Sequence, residues 1–226
     1  MFPDLASIDW SPLWLSLRVA SIATVLSLAI GLTAGWALTR WQFRGKYLAE
    51  ALITAPIVLP PTVLGYYLLV ALGRSSPLGE AYETIFGGPL VFTWQAAVVA
   101  ASLHAIPLLI RSARAAFEGV NRNLENAARS LGASEWRVFW RVTLPLSKGP
   151  VVAAAVFAFA RALGDFGVTI MIAGNIPGKT QTMSVAIYDA VQSGQSQLAT
   201  ALVLVMSALA ITVLYAIGRA GGGRIL

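Results

Sequence analysis

Four stretches of this chain run for more than twenty residues without one charged side chain: 19–39, 51–73, 84–110 and 190–218. A helix rising about 1.5 Å per residue crosses the hydrocarbon of a bilayer in about 20 residues, so each stretch is long enough to span it. Within the third, Gly87-Gly88-Pro89 is expected to delay the start of the helix, and in the fourth the lipid-facing part is expected from about Leu198. A fifth stretch, 149–173, is equally apolar apart from Arg161 and Asp165. Only 12% of the residues are charged, against about 25% in soluble domains. These runs predict an all-α polytopic membrane protein, residues 1–226 forming one transmembrane domain of five spans. The alternative is six, because Gly164, Gly167, Gly174, Pro177 and Gly178 interrupt the apolar pattern and 183–191 is a short, half-apolar piece. A broken or re-entrant helix is expected there, where irregular backbone must be buried in protein or line a cavity.

The basic residues sort by side. The turn holding Arg40, Arg44 and Lys46, the block from Arg111 to Lys148, and the tail with Arg219 and Arg224 carry 12 of the 16 Lys and Arg. The opposite side has Arg18, Arg74 and Lys179. By the positive-inside rule the N-terminus lies outside and the C-terminus and the charged block lie in the cytoplasm. The net charge of +6 is thus an orientation signal, and nucleic acid is not an expected partner. Residues 1–9 contain no Lys or Arg, so the first apolar segment is expected to stay in the protein.

Chemistry is sparse. There are no cysteines and a single histidine, His104, which leaves neither a thiolate site nor a multi-histidine zinc site. No Gly-x4-Gly-Lys-Ser/Thr loop is present to cradle phosphates, and no Ser, His and acidic residues form a hydrolytic set. The chain reads as a transport subunit and not as an enzyme. Asp165 is the only carboxylate within a span, which gives an ion-driven secondary transporter little to relay protons with. A membrane scaffold without transport is the other rival.

The charged block, 116–147, is the one long stretch this chain keeps in water. Residues 123–141 read as two short helices joined at Gly132, with Asn121 or Asn123 capping the first and Ser134 the second. Glu125 suits the positive end of the first helix dipole. Gly132 permits a left-handed turn. Trp136, Phe139 and Trp140 supply apolar contacts among Arg137 and Arg141, and Leu144-Pro145 is expected to stop the second helix. Such a segment suits an interfacial amphipathic helix or a docking site for a soluble partner.

The pattern Ala-Ala-x3-Gly-x9-Val-x-Leu-Pro, at Ala127, Ala128, Gly132, Val142, Leu144 and Pro145, resembles the cytoplasmic loop of bacterial ABC importer permeases. The family has Glu immediately before the paired alanines; this chain has Asn126 there and Glu125 one place earlier. Residues 55–66, 159–167 and 173–182, with Ala186-Ile187-Tyr188, resemble permeases for tetrahedral oxyanions, and the Asn175–Thr182 wording is most similar to the molybdate branch. The resemblance implies a type I importer permease in a bacterial or archaeal cell membrane. Its partners would be a second copy, two ATP-binding cassette ATPases and an extracytoplasmic oxyanion-binding protein. ATP and Mg would sit on the ATPases, with no cofactor on this chain. Molybdate is the implied cargo, with tungstate or sulfate as alternatives. Glu125, Asn126, Ala127, Ala128, Gly132, Leu144 and Pro145 would then be the ATPase-coupling residues.

Within the spans, Arg161 and Asp165 share a helix face at i,i+4. An unpaired charge in a bilayer costs about 3 kcal/mol on insertion scales. The pair is either a salt bridge that fastens the span or a part of the anion path, where a transient contact suits release better than a tight site. Pro60-Pro61 breaks or kinks the second span, as packing or as a gate, and Thr62 with Thr54 could line a path. His104 reads as a packing residue. The 175–182 segment is expected outside.

Overall fold

The computed structural model describes residues 8–220, with side chains to residue 215. The described residues are helical, without strands. The first span, α1, is Ser11–Arg40. The second span is in two pieces, α2 (Lys46–Val58) and α3 (Pro61–Leu72). A short outer helix, α4 (Pro77–Phe86), precedes α5 (Trp94–Glu118). Next come α6 (Arg122–Ser130), α7 (Glu135–Val138), a π-helical turn Phe139–Thr143 and α8 (Leu144–Leu146). The chain continues through α9 (Lys148–Leu163), α10 (Gly167–Ala173), α11 (Met183–Gln192) and α12 (Ser196–Ala220).

α1 and α5 form the centre of the bundle. Buried Val19, Ala23, Ser27, Gly31 and Gly35 recur every four residues on α1, and Ala97, Ala101, Ala105, Leu109 and Ala113 do the same on α5. A Cβ on Gly31 would lie 2.6 Å from Leu109 Cβ, and one on Gly35 3.0 Å from Ala113 Cβ. The matching steps mean that the two helices run parallel, and the missing side chains let their backbones approach closely. This is how membrane helices associate when lipid offers no hydrophobic contrast. α9 runs back against α5, with Ala154 and Ala158 on Ala105 and Leu109, and Val151 near Phe117.

Among the described residues, three helices are long and apolar enough to cross a membrane, α1, α5 and α12, and the count reaches five if each bent pair is one span. Two expected interruptions are present. The second span breaks at Pro60-Pro61, where α2 and α3 meet at 112°. Consecutive prolines lack the N–H groups that would continue α2, and Leu59 and Pro60 are held extended. The third span starts at Trp94, capped by Thr93, because Gly87 ends α4 in a left-handed turn at φ +76°. At 7 and 10 residues, α10 and α11 are each too short to cross alone.

The two interrupted spans touch. The first residue of α10, Gly167, packs so closely on α3 that a Cβ there would lie 2.6 Å from Pro61 Cβ, and one on Gly65 would lie 2.6 Å from Met171 Cβ. α3 and α10 therefore lie side by side, starting at the same level. At the other end, the Lys46 ammonium is buried and donates to the carbonyls of Leu38 (2.6 Å) and Trp41 (3.2 Å). It caps the last turn of α1, a use beyond the orientation signal read from the sequence.

Candidate functional site

The 119–147 segment is built to hold one shape. Asn121 Oδ1 accepts from the Asn123 N–H at 2.9 Å and caps α6. Gly132, at φ +82°, ends it: the Gly132 N–H donates to Arg129 O and the Ala133 N–H to Ala128 O. These two bonds satisfy the last carbonyls of α6 while turning the chain. Ser134 then caps α7, accepting from the Arg137 N–H. Arg129 closes the corner, with both Glu135 oxygens at 2.5 and 3.1 Å and Asn126 Oδ1 at 2.8 Å.

Glu125 is the inner tie. It is buried, and its carboxylate accepts from the Arg40 guanidinium and from Thr143 Oγ1, with Arg129 3.8 Å away. It thus joins the end of α1, the start of α6 and the π-helical turn. Burial pushes its carboxyl up, but the hydrogen bonds from Arg40 and Thr143 and the charges of Arg40 and Arg129 together hold it below its ordinary value. Glu135 is held down too, chiefly by the Arg129 hydrogen bond. Phe139 adds an apolar anchor, buried against Trp36, Phe117, Trp136 and Trp140.

With Glu125 and Arg129 turned inward, the outer surface of the loop mixes exposed apolar side chains with the exposed cations Arg122, Arg137 and Arg141. Leu131 is 89% exposed and Trp136 64%, and Leu124 and Trp140 are about half exposed. Beside them a cavity of about 420 Å³ is lined by residues that include Trp36, Arg40, Trp41, Arg122 and Asn126.

The second cluster sits where α9 gives way to α10. Asp165 Oδ2 accepts from the Thr169 N–H at 3.2 Å and Thr169 Oγ1 at 2.7 Å. Arg161 reaches Oδ1 at 3.3 Å. His104 on α5 brings Nδ1 to 3.2 Å from the same oxygen, though off the axis a hydrogen bond needs. Asp165 and His104 are buried, whereas the Arg161 side chain is 38% exposed.

Residues 27–224 match the family of binding-protein-dependent transport system inner membrane components. The chain belongs to this family. It is 45% identical over 185 residues to the molybdenum transport system permease protein ModB of Escherichia coli K12, covering 82% of this chain and 81% of that one. The sulfate transport system permease protein CysT of the same organism is 31% identical, covering 95% of this chain and 82% of that one. Among solved structures, an inward-facing methionine ABC transporter, MetNI, superposes with a TM-score of 0.72 at 19% identity, over 93% of both chains. The fold is that of type I ABC importer permeases.

The permease places its sequence-predicted site residues in two separate groups. Glu125, Asn126, Ala127, Ala128 and Gly132 share one helix and its turn, and Leu144 and Pro145 follow the π-helical turn. Glu125 faces its own chain, and Asn126 is held by Arg129. Pro145 does not stop the second helix: the helical path continues to Leu146 and turns by 77° into α9. The wide turn, in which the Leu144 N–H donates to Phe139 O, shifts the pairing just before a residue that has no N–H to give. Pro60, Pro61 and Thr62 are exposed at the break in the second span. Thr54 donates to its own helix at Glu50 O, 2.6 Å. Arg161 and Asp165 pair as their spacing predicts, but sequence reasoning missed His104 as the third member and Arg40 and Thr143 as partners of Glu125. No local pattern marks these, since each is brought in by a helix distant in sequence.

Proposed function

We propose that this permease carries molybdate into the cytoplasm, driven by a separate ATPase that seats on the 123–145 loop. The cargo rests above all on one observation: identity to the molybdenum permease is 45% over most of both chains, against 31% to the sulfate permease. The drive rests on the loop itself, which is braced by the Glu125, Arg129 and Glu135 ion pairs while Leu131, the tryptophans and the cations Arg122, Arg137 and Arg141 stand in solvent. Exposed aromatic residues on a rigid frame suit burial against a partner. The working unit is a pair of these chains with two ATPases, receiving the anion from a binding protein outside. The N-terminus lies outside, because Arg40, Lys46, Arg114 and the 119–147 segment gather at the end that the positive-inside rule assigns to the cytoplasm.

The test is labelled molybdate uptake into proteoliposomes that hold the permease and its ATPase, with the binding protein outside and ATP sealed inside. Uptake is expected to need both ATP and the binding protein, to be inhibited by tungstate, which matches molybdate in size and charge, and to resist sulfate. Inhibition by sulfate would move the cargo to that anion. Uptake without the ATPase would reject the coupling role of the loop.

A further inference from the structure

We infer that Arg161 is the cation a tetrahedral oxyanion meets inside the membrane, and that Asp165 is the counter-charge that takes Arg161 back when the anion leaves. This rests on the reading of the chain as an oxyanion permease and adds a residue to it. Arg161 lies 13 residues beyond Lys148, or about 20 Å along α9. That is well inside the hydrocarbon.

The pair is asymmetric. Asp165 is buried and keeps two hydrogen bonds from Thr169, with His104 Nδ1 poised at its other oxygen. Removing Arg161 leaves that carboxylate with partners. Arg161, by contrast, has five N–H donors and, among the described residues, one partner, at 3.3 Å. Its side chain is 38% exposed, which leaves donors open. A guanidinium fits an oxyanion edge with two parallel bonds, so the exposed donors match the cargo. A charged side chain facing lipid is strongly disfavoured, so the open part of Arg161 needs a polar neighbour although Phe157, one turn earlier, is exposed.

The surroundings agree. Gly164, exposed next to Arg161, begins the break between α9 and α10, and Gly167 at its far end touches Pro61 at the break in the second span. Interrupted backbone at membrane depth occurs where protein buries it or where it lines a water-filled space. On this inference the two breaks, which touch at Gly167 and Pro61, and the open guanidinium line one polar path. His104 is a positioning residue here: it can satisfy the Asp165 oxygen that Arg161 vacates.

The test uses the same proteoliposomes. If the unaltered complex takes up no molybdate, tungstate or sulfate, the oxyanion reading fails and this inference fails with it. Given uptake by the unaltered complex, Arg161→Gln is expected to lower the rate about tenfold or more, the loss of one charged hydrogen-bond contact, while the complex still assembles. Arg161→Lys keeps the charge without the fork and serves if the glutamine variant does not assemble; a lower rate is expected, and an unchanged one overturns the inference.

The deciding variant is the charge-free pair Arg161→Gln with Asp165→Asn. A salt bridge that only fastens α9 would tolerate losing both charges, so recovered uptake in this variant overturns the proposal. The chain has no cysteine, so Arg161→Cys supplies the single thiol in it. Modification by aminoethyl methanethiosulfonate restores a cation there and is expected to restore uptake, whereas a neutral hydroxyethyl reagent is not. Equal effects of the two reagents would overturn the role of the charge.

Discussion

Glu125 in the 119–147 loop and Asp165 just past the end of α9 are held by similar sets of groups. Each is a buried carboxylate that accepts from a threonine hydroxyl and lies against an arginine. They differ in the arginine. Arg40 is largely enclosed and closes on Glu125 in a direct hydrogen bond, whereas Arg161 stands more open and reaches Asp165 through one long contact. One set makes a fixed strut between α1, α6 and the π-helical turn. The other leaves its cation free to exchange partners. A buried ion pair is weak evidence for stability, since desolvation offsets most of the attraction; how many other donors each carboxylate keeps is what separates the two.

The largest effect is expected from Gly132→Pro, which tests whether the strut matters because it fixes a shape. Proline cannot adopt φ +82°, so the corner between α6 and α7 should be lost. Copurification of the ATPase should be abolished with membrane insertion intact, and normal recovery of the complex would reject the coupling role.

Next is the direct contrast. Arg40→Gln leaves Glu125 buried without its main partner and should destabilise the protein by about 3 kcal/mol. Arg161→Gln leaves Asp165 with Thr169 and His104 and should cost under about 1 kcal/mol. Thermal unfolding of the two variants in one detergent checks this, and equal losses would dissolve the distinction. Gly31→Val serves as a packing control that touches neither cluster. Its side chain would drive into Leu109 and cost about 1–3 kcal/mol, read from the same melts.

The smallest effect is in pH. The Glu125 carboxyl is held below its ordinary value of 4.5. Its contribution is thus complete above that value and is lost as pH falls through the lower native one. Stability should decline on acidification in that window, and Glu125→Gln should flatten the decline. A variant with an unchanged pH profile would remove Glu125 from the strut.

Much of this architecture is legible in the sequence, because bilayer thickness and helix rise convert uncharged runs directly into spans. Local signals also carry the loop: the Asn121 and Ser134 caps, the turn at Gly132 and the Arg161–Asp165 spacing each involve residues within a few positions of one another. What escapes is non-local. Arg40 meets Glu125 across 85 residues, and Asp165 meets His104 only because α9 runs back along α5. The four-residue ladder of small residues on α1 and α5 was present to be read, but it yields a partner only when both helices are laid side by side. Pro60-Pro61 announces a break but not the 112° between its two halves, which packing of α3 on α10 decides.

The π-helical turn at Phe139–Thr143 has a geometric consequence for the loop. A wide turn holds one more residue than an α-helical turn, and each residue advances a helix by about 100°. The direction in which Trp136 points, relative to α9, therefore depends on a single added residue. Deleting one residue between 139 and 143 would swing the exposed tryptophan about a quarter of the way round its axis relative to α9, and would shift Phe139 against Thr143, which holds Glu125.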